Sequence, residues 1–328
     1  MPVVLAHARK PSPPPSDGRV SDGVLVNSLG SAPSPRPEPP RFDHSEPWRA
    51  ISLQTVGVAL VGLLLVALVQ TAAVLAAGSA HSPAAMAALW GGVAVEFAVG
   101  VFVMATAIGL VHPWARRTWF LIGAASTCAA LWDANWTYNL GAPLAADNAL
   151  LRVLEILMAI AFLTAMGACV AYAFHFRDRA DMGVAIGLTL LVTVVIGFSA
   201  WLLVLRPALS ESRLPSDQSI GYLVVAVGDL ALSFVPMLFV TLTLATVRDP
   251  EGRRPDWLRI QSWSTAVVAA ALMAISGVGW FYRLSVGPWA PGLLLDFFYL
   301  LGFIALATAV MLERDRDRAI AEDIPTHV

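Results

Sequence analysis

The sequence predicts an all-α integral membrane protein, on three observations. The 328-residue chain is 57% hydrophobic and only 13% charged, with a mean hydropathy of +0.69, whereas soluble domains carry roughly 25% charged residues. From residue 50 onward, apolar runs of about 20 residues follow one another, the length needed to cross the ~30 Å hydrocarbon core. The runs are continuous rather than alternating, and lipid offers backbone groups no partners, so they read as helices.

Residues 1–47 stand apart from this pattern. PSPPPSDG and SAPSPRPEPPR are rich in Pro and Ser and lack a helical period, which reads as a disordered cytoplasmic tail. The opening MPVVLA runs into polar, Pro-rich sequence rather than a hydrophobic region with a cleavage site, so no cleavable signal peptide is expected. Residues 48–313 form the membrane domain. Its eight predicted spans are roughly 51–77, 84–110, 118–139, 149–174, 182–205, 219–246, 259–282 and 290–312. Residues 314–328 are expected to be a short charged cytoplasmic tail, with LERDRDRAIAEDIPTHV as a solvated end. The loop RDPEGRRPDWLR is expected to be solvated too, with contact to anionic membrane lipid as a further role.

Arginine placement orients the spans. The connections after spans two, four and six and the segment after span eight hold eleven arginines, among them Arg116, Arg117, Arg253, Arg254 and Arg316. The opposite side holds four: Arg152, Arg206, Arg213 and Arg283. Both termini are therefore expected in the cytoplasm, which an even number of spans requires. Lys10 is the only lysine among 21 basic residues; with abundant Ala, Gly and Pro, this bias suggests a bacterial source and hence the inner membrane. It also excludes a retinal Schiff base within the spans.

A shift of 144 residues superposes WFLIGAASTCAALWDANWTYN on WSTAVVAAALMAISGVGWFYR and carries Trp119, Trp136 and Tyr138 onto Trp263, Trp280 and Tyr282. The same shift places Arg152 opposite Asp296 and Glu155 opposite Tyr299. Two tandem four-helix halves in the same orientation would produce this. Aromatic anchoring at the two membrane interfaces would also place Trp at span ends.

Polar groups inside the spans carry the functional question. ALWDANWTYNLG sets Asp133, Asn135, Tyr138 and Asn139 where lipid-soluble helix is expected, and Glu96, Glu155, Asp229 and Asp296 are further carboxyl groups within or at the edge of spans. Each costs roughly 2.5–3.5 kcal/mol at a helix centre, so such groups face a bundle interior or a wet cavity. At 1.5 Å per residue, Glu96 and Asp229 fall near the midplane, Asp133 sits higher in the outer leaflet, and Glu155 and Asp296 are shallow. Either these groups tie helices together and pair with Arg152 or Arg283, or they line an outward-facing pocket for a small molecule or ion. Trp132 and Trp136 are its candidate aromatic lining, although Trp at a span end is more often an interfacial anchor. The candidate ligand-binding residues are Glu96, Asp133, Asn135, Trp136, Glu155, Asp229 and Asp296.

Other chemistries find less support. Cys128 and Cys169 lie in apolar runs without a CxxC motif, so no disulfide framework, metal site or cofactor is expected. His81, His112 and His175 are not at matched depth on facing helices, as a haem-binding bundle would require. There is no HExxH, GxSxG or Walker sequence, and the charge pattern gives no reason to expect a nucleic-acid partner. Ser262 and Ser276 read as packing residues. Pro236 would kink the sixth span.

Trp119, Gly123, Asp133 and Trp136, followed in the last span by Asp296, Tyr299, Gly302 and Phe303, resemble the multi-span N-terminal sensory regions of bacterial diguanylate cyclases and some histidine kinases. IGYLVVAVGDLALS, with Tyr222 and Asp229, is similar to a Tyr-Pro-x-x-Asp segment of those regions, although the Pro is absent here. Gly-Gly-Asp-Glu-Phe, a phosphoacceptor helix and an ATP-binding motif are absent from the sequence. The resemblance thus implies a non-catalytic sensory or ligand-binding module, not an enzyme, that signals through a cytoplasmic partner or as a homo-oligomer. A proton- or cation-coupled secondary transporter using Glu96 and Asp229 is the alternative expectation.

Overall fold

The computed structural model describes residues 51–75, 83–138, 149–174, 182–210, 257–286 and 294–322, with a few positions between 223 and 241. Every described element is helical. In chain order they are α1 (Leu53–Leu75), α2 (Pro83–Ile108), α3 (Pro113–Tyr138), α4 (Ala149–Phe174), α5 (Met182–Ala200), a π-turn (Trp201–Leu205), α6 (Arg206–Ser210), α7 (Trp257–Val286) and α8 (Leu294–Glu322).

Local chemistry sets several of these boundaries. Ser52 caps α1, its hydroxyl accepting the Thr55 N–H at 3.2 Å, which satisfies one of the unpaired donors of the first turn. Pro83 and Pro113 open α2 and α3, where the missing N–H costs nothing. Between them the chain reverses tightly, with the N–H groups of Gly109 and Leu110 donating to Thr106 and Ala107 at 3.1 Å. In the π-turn the Arg206 N–H bonds the Trp201 carbonyl. Pro207 gives the reason for the widening: it has no N–H for the carbonyl four residues earlier, and its ring crowds that carbonyl.

Six of the described helical stretches are long and apolar enough to cross a membrane. They correspond to α1, α2, α4, α5 continued into α6, α7 and α8. Leu60, Leu64 and Leu68 of α1, and Leu191, Val194 and Phe198 of α5, are each more than 60% exposed. Apolar faces of that extent are foreign to water-soluble monomers. The chain is a multi-pass helical membrane protein.

The eight predicted spans are therefore met in part. The sixth, at 219–246, lies outside the described residues apart from those few positions, and so does Pro236. The third corresponds to α3, which at 26 residues is about 39 Å long. It falls short in apolarity rather than length, since it carries Arg116, Arg117, Asp133 and Asn135. Its surroundings account for that composition. α3 packs between α2 and α4, with Thr118, Trp119 and Ala130 fully buried.

The α2–α3 pairing is a backbone contact. A methyl group on Gly100 would lie 2.8 Å from the Thr127 amide nitrogen, and one on Gly123 would lie 2.7 Å from that of Met104. Small residues at such crossings let helices associate where lipid supplies no hydrophobic drive between them. Across the bundle, Ser262 and Ser276 of α7 donate to the Ala309 and Leu295 carbonyls of α8, both at 2.8 Å, the packing role expected of them.

The 144-residue shift also has a structural counterpart. It carries the start of α3 at Pro113 onto the start of α7 at Trp257, and Ala149 of α4 to within one residue of the start of α8 at Leu294. Trp119 packs against Trp263 with ring centroids 5.1 Å apart, and Trp136 against Trp280 at 5.2 Å, both pairs tilted. Contact between equivalent residues is what a two-fold arrangement of repeats produces. Interfacial anchoring does not explain Trp119 and Trp263, which are 0% and 1% exposed.

Gly100→Ala is expected to destabilise the protein by about 1–3 kcal/mol, because backbone rather than a movable side chain stands in the way. Gly57→Ala on α1, where an added methyl meets nothing within 4 Å, should be neutral or slightly stabilising. Reversible unfolding of the two variants in mixed micelles checks the contrast.

Candidate functional site

Four helices bring their polar residues to the end of the bundle opposite the α2–α3 turn. Glu96 comes from the middle of α2, Asp133, Trp136 and Thr137 from the last turns of α3, Trp280 from α7, and Asp296 and Tyr299 from the first turns of α8. Together with Val69 and Ala73 of α1 and Gly92 and Leu300 they line a cavity of about 70 Å³. Among the described residues that line it there is no arginine, lysine or histidine.

Hydrogen bonds fix most of the polar wall. The Tyr299 hydroxyl donates to Asp133 Oδ2 at 3.0 Å, and Trp280 Nε1 donates to Asp296 Oδ1 at 3.0 Å. The Asp133 carboxyl is also within hydrogen-bond reach of Glu96. Glu96 itself is 4% exposed, and its Oε2 is buried with no hydrogen-bond partner. A buried acceptor without a donor costs about 1–3 kcal/mol. The site thus has donors of its own for two carboxyl groups and leaves the third open.

Of the seven predicted binding residues, Glu96, Asp133, Trp136 and Asp296 meet at this cavity. Asn135 is half-buried on α3 but is not part of the lining. Asp229, the Glu155 side chain and that of Arg152 lie outside the described residues, as do Asn139 and Tyr222. Arg283 is exposed on the last turn of α7 and does not line the cavity, so it is not the counterion that the sequence offered.

The depths counted from sequence are corrected here. They put Asp133 well above Glu96, yet the two carboxyl groups are neighbours. Side chains on a helix lean toward its N-terminus. α2 and α3 are antiparallel, so Glu96 leans toward the end of the pair away from their turn while Asp133 leans back toward the middle.

Sequence reasoning missed Trp280 and Tyr299 as wall residues, although both had been flagged. Trp280 is the repeat partner of Trp136, and Tyr299 belongs to the pattern that resembles bacterial sensors. It also missed α1, whose Val69 and Ala73 are apolar and carry no signal of their own.

A second polar cluster occupies the other end of the bundle, where a solvated tail was expected. α8 continues to Glu322, and Glu313, Asp315, Arg316 and Asp317 are all buried. Asp315 Oδ2 accepts the Ser52 N–H at 2.9 Å and the Thr55 hydroxyl at 2.6 Å, anchoring the start of α1. Asp317 Oδ2 accepts the N–H groups of Val111 and His112 at 2.8 and 3.3 Å, anchoring the α2–α3 turn. Arg316 lies between them, 3.1 Å from Glu313 and 3.6 Å from Asp317. The signal was an absence of breakers: no Gly or Pro occurs between Gly302 and Pro325, so nothing in the sequence ends the helix where the apolar run ends.

Among the described residues no group of His, Cys, Asp and Glu is placed to hold a metal ion. No protein-family model, curated protein or solved structure matches the chain.

Asp315→Ala removes two charge-assisted hydrogen bonds and is expected to cost about 2 kcal/mol. Amide hydrogen exchange should speed up at Ser52–Val56 before it does elsewhere. Arg318→Ala, at an exposed position one turn on, should change stability by no more than about 0.5 kcal/mol.

Proposed function

We propose that this chain is a non-catalytic sensory or ligand-binding module of the bacterial inner membrane, with eight spans, both termini in the cytoplasm and a pocket open to the outside. The observation that carries the reading is the convergence of Glu96, Asp133 and Asp296 on one cavity whose described lining holds no basic residue. Asp133 and Asp296 accept from Tyr299 and Trp280, whereas Glu96 Oε2, in the same wall, has no hydrogen-bond partner.

The output side of the reading rests on α8. Asp296 and Tyr299 stand in the cavity wall near its start, and Asp315 and Asp317 hold α1 and the α2–α3 turn near its end. The nineteen residues from Asp296 to Asp315 make a rod of about 28 Å. A ligand that shifts or rotates the start of α8 changes the fit of both aspartates at the far end. The arginine-rich face there would pass that change to a cytoplasmic partner or to a second copy of the chain.

The neighbouring carboxyl groups of Glu96 and Asp133 also suit a proton- or cation-coupled transporter. That reading requires substrate-dependent proton flux in proteoliposomes, abolished by Glu96→Gln.

The sensory reading requires coupling between the two ends of α8. Asp296→Asn in the reconstituted full chain should alter amide exchange at Ser52, Val111 and His112 by about fivefold or more, the lower range of measured site–site couplings. Unchanged exchange at those three amides would count against the module having an output through α8.

A further inference from the structure

The cavity's ligand class can be read from its walls, on the premise above that it is a binding site. Three features narrow the choice. The first is charge: three carboxyl groups line it and no described lining residue is basic, so these walls offer an anion no cationic partner. The second is the orphaned acceptor. Glu96 is 4% exposed, and its buried Oε2 calls for a donor that the protein does not supply. The third is the remainder of the wall. Two indoles, Trp136 and Trp280, stand 5.2 Å apart beside Val69, Leu89, Val93 and Leu300. Indole faces attract cations, ammonium ions among them, while the aliphatic side chains suit an apolar body better than a hydrated metal ion.

Size supplies the last restriction. An engineered cavity of about 150 Å³ holds benzene, and this one is about 70 Å³. A group held wholly inside it is therefore smaller than benzene.

We propose that the pocket binds a small alkylammonium ion of a few heavy atoms, with its N–H groups on Glu96 and its neighbouring carboxyl groups and its alkyl body between the tryptophans and Leu300. Three N–H donors on one nitrogen match a wall with three carboxyl groups. The alkyl group fills the apolar side that an inorganic cation would leave empty.

The test uses the full chain in lipid nanodiscs, with thermal unfolding followed while methylammonium or ethylammonium chloride replaces sodium chloride at constant ionic strength. Ethanol and sodium acetate serve as neutral and anionic probes of similar size. Both ammonium ions should raise the melting temperature saturably, and ethanol and acetate should not. Glu96→Gln should weaken the apparent affinity about tenfold or more, the scale of losing one charged hydrogen bond.

Gly92→Ala provides a variant that leaves every carboxyl group in place. Its added methyl meets only Leu300, at 3.8 Å, so it narrows the cavity and should weaken ethylammonium more than methylammonium. Stabilisation by ethanol or acetate that also depends on Glu96 would leave the pocket standing and overturn its cationic class. If none of the four probes acts on a chain that unfolds cooperatively, the proposal and the binding-site reading fall together.

Discussion

A carboxyl group cannot face lipid cheaply, and the arrangement of α2, α3, α7 and α8 follows from that constraint. At roughly 2.5–3.5 kcal/mol per group near a helix centre, leaving Glu96, Asp133 and Asp296 exposed to hydrocarbon would cost a large share of a typical folding free energy. Gathering them in one place lets each serve another's surroundings. Tyr299 and Trp280 then supply donors to Asp133 and Asp296, and the glycine crossing of α2 and α3 allows the backbones to approach closely enough for Glu96 and Asp133 to be neighbours. The polarity that makes α3 a poor membrane span by composition is the reason it lies inside the bundle.

The same helix that closes the cavity also closes the other end. α8 is apolar through its middle and carries aspartates near both ends, Asp296 bonded to Trp280 of α7 and Asp315 and Asp317 to α1 and the α2–α3 turn. Asp315 and Asp317 are two residues apart and so point to different sides of α8, which lets one reach α1 and the other the α2–α3 turn. Ser262 and Ser276 tie α8 to α7 through the carbonyl groups of Ala309 and Leu295. Physical coupling between sites requires such an element, one whose position both sites can bias.

Much of this architecture was legible in the sequence, because the membrane reduces secondary structure to a question of apolar length. The helical class, most of the span boundaries and four of the seven candidate binding residues follow from runs of hydrophobic residues and the carboxyl groups that interrupt them. The 144-residue shift, read from Trp and Tyr positions alone, picked out the pairs Trp119–Trp263 and Trp136–Trp280 that pack against each other. What escaped was the third dimension. Counting residues along a helix locates a Cα atom, whereas Glu96 and Asp133 meet through side chains that lean in opposite directions on antiparallel helices. Charge density misled in the same way at LERDRDR. Alternating Asp and Arg looks like a solvated end, yet Asp315 and Asp317 are buried because helix starts and turns nearby offered unpaired N–H groups that an aspartate could satisfy.

The central claim is that the carboxyl cavity opens toward the side away from the arginine-rich loops. Thiol accessibility tests it most directly. In a chain with Cys128 and Cys169 replaced by serine, Asp133→Cys should react with a small, charged, membrane-impermeant methanethiosulfonate added to intact cells. Reaction only in inverted vesicles, from the arginine-rich face, would contradict the account.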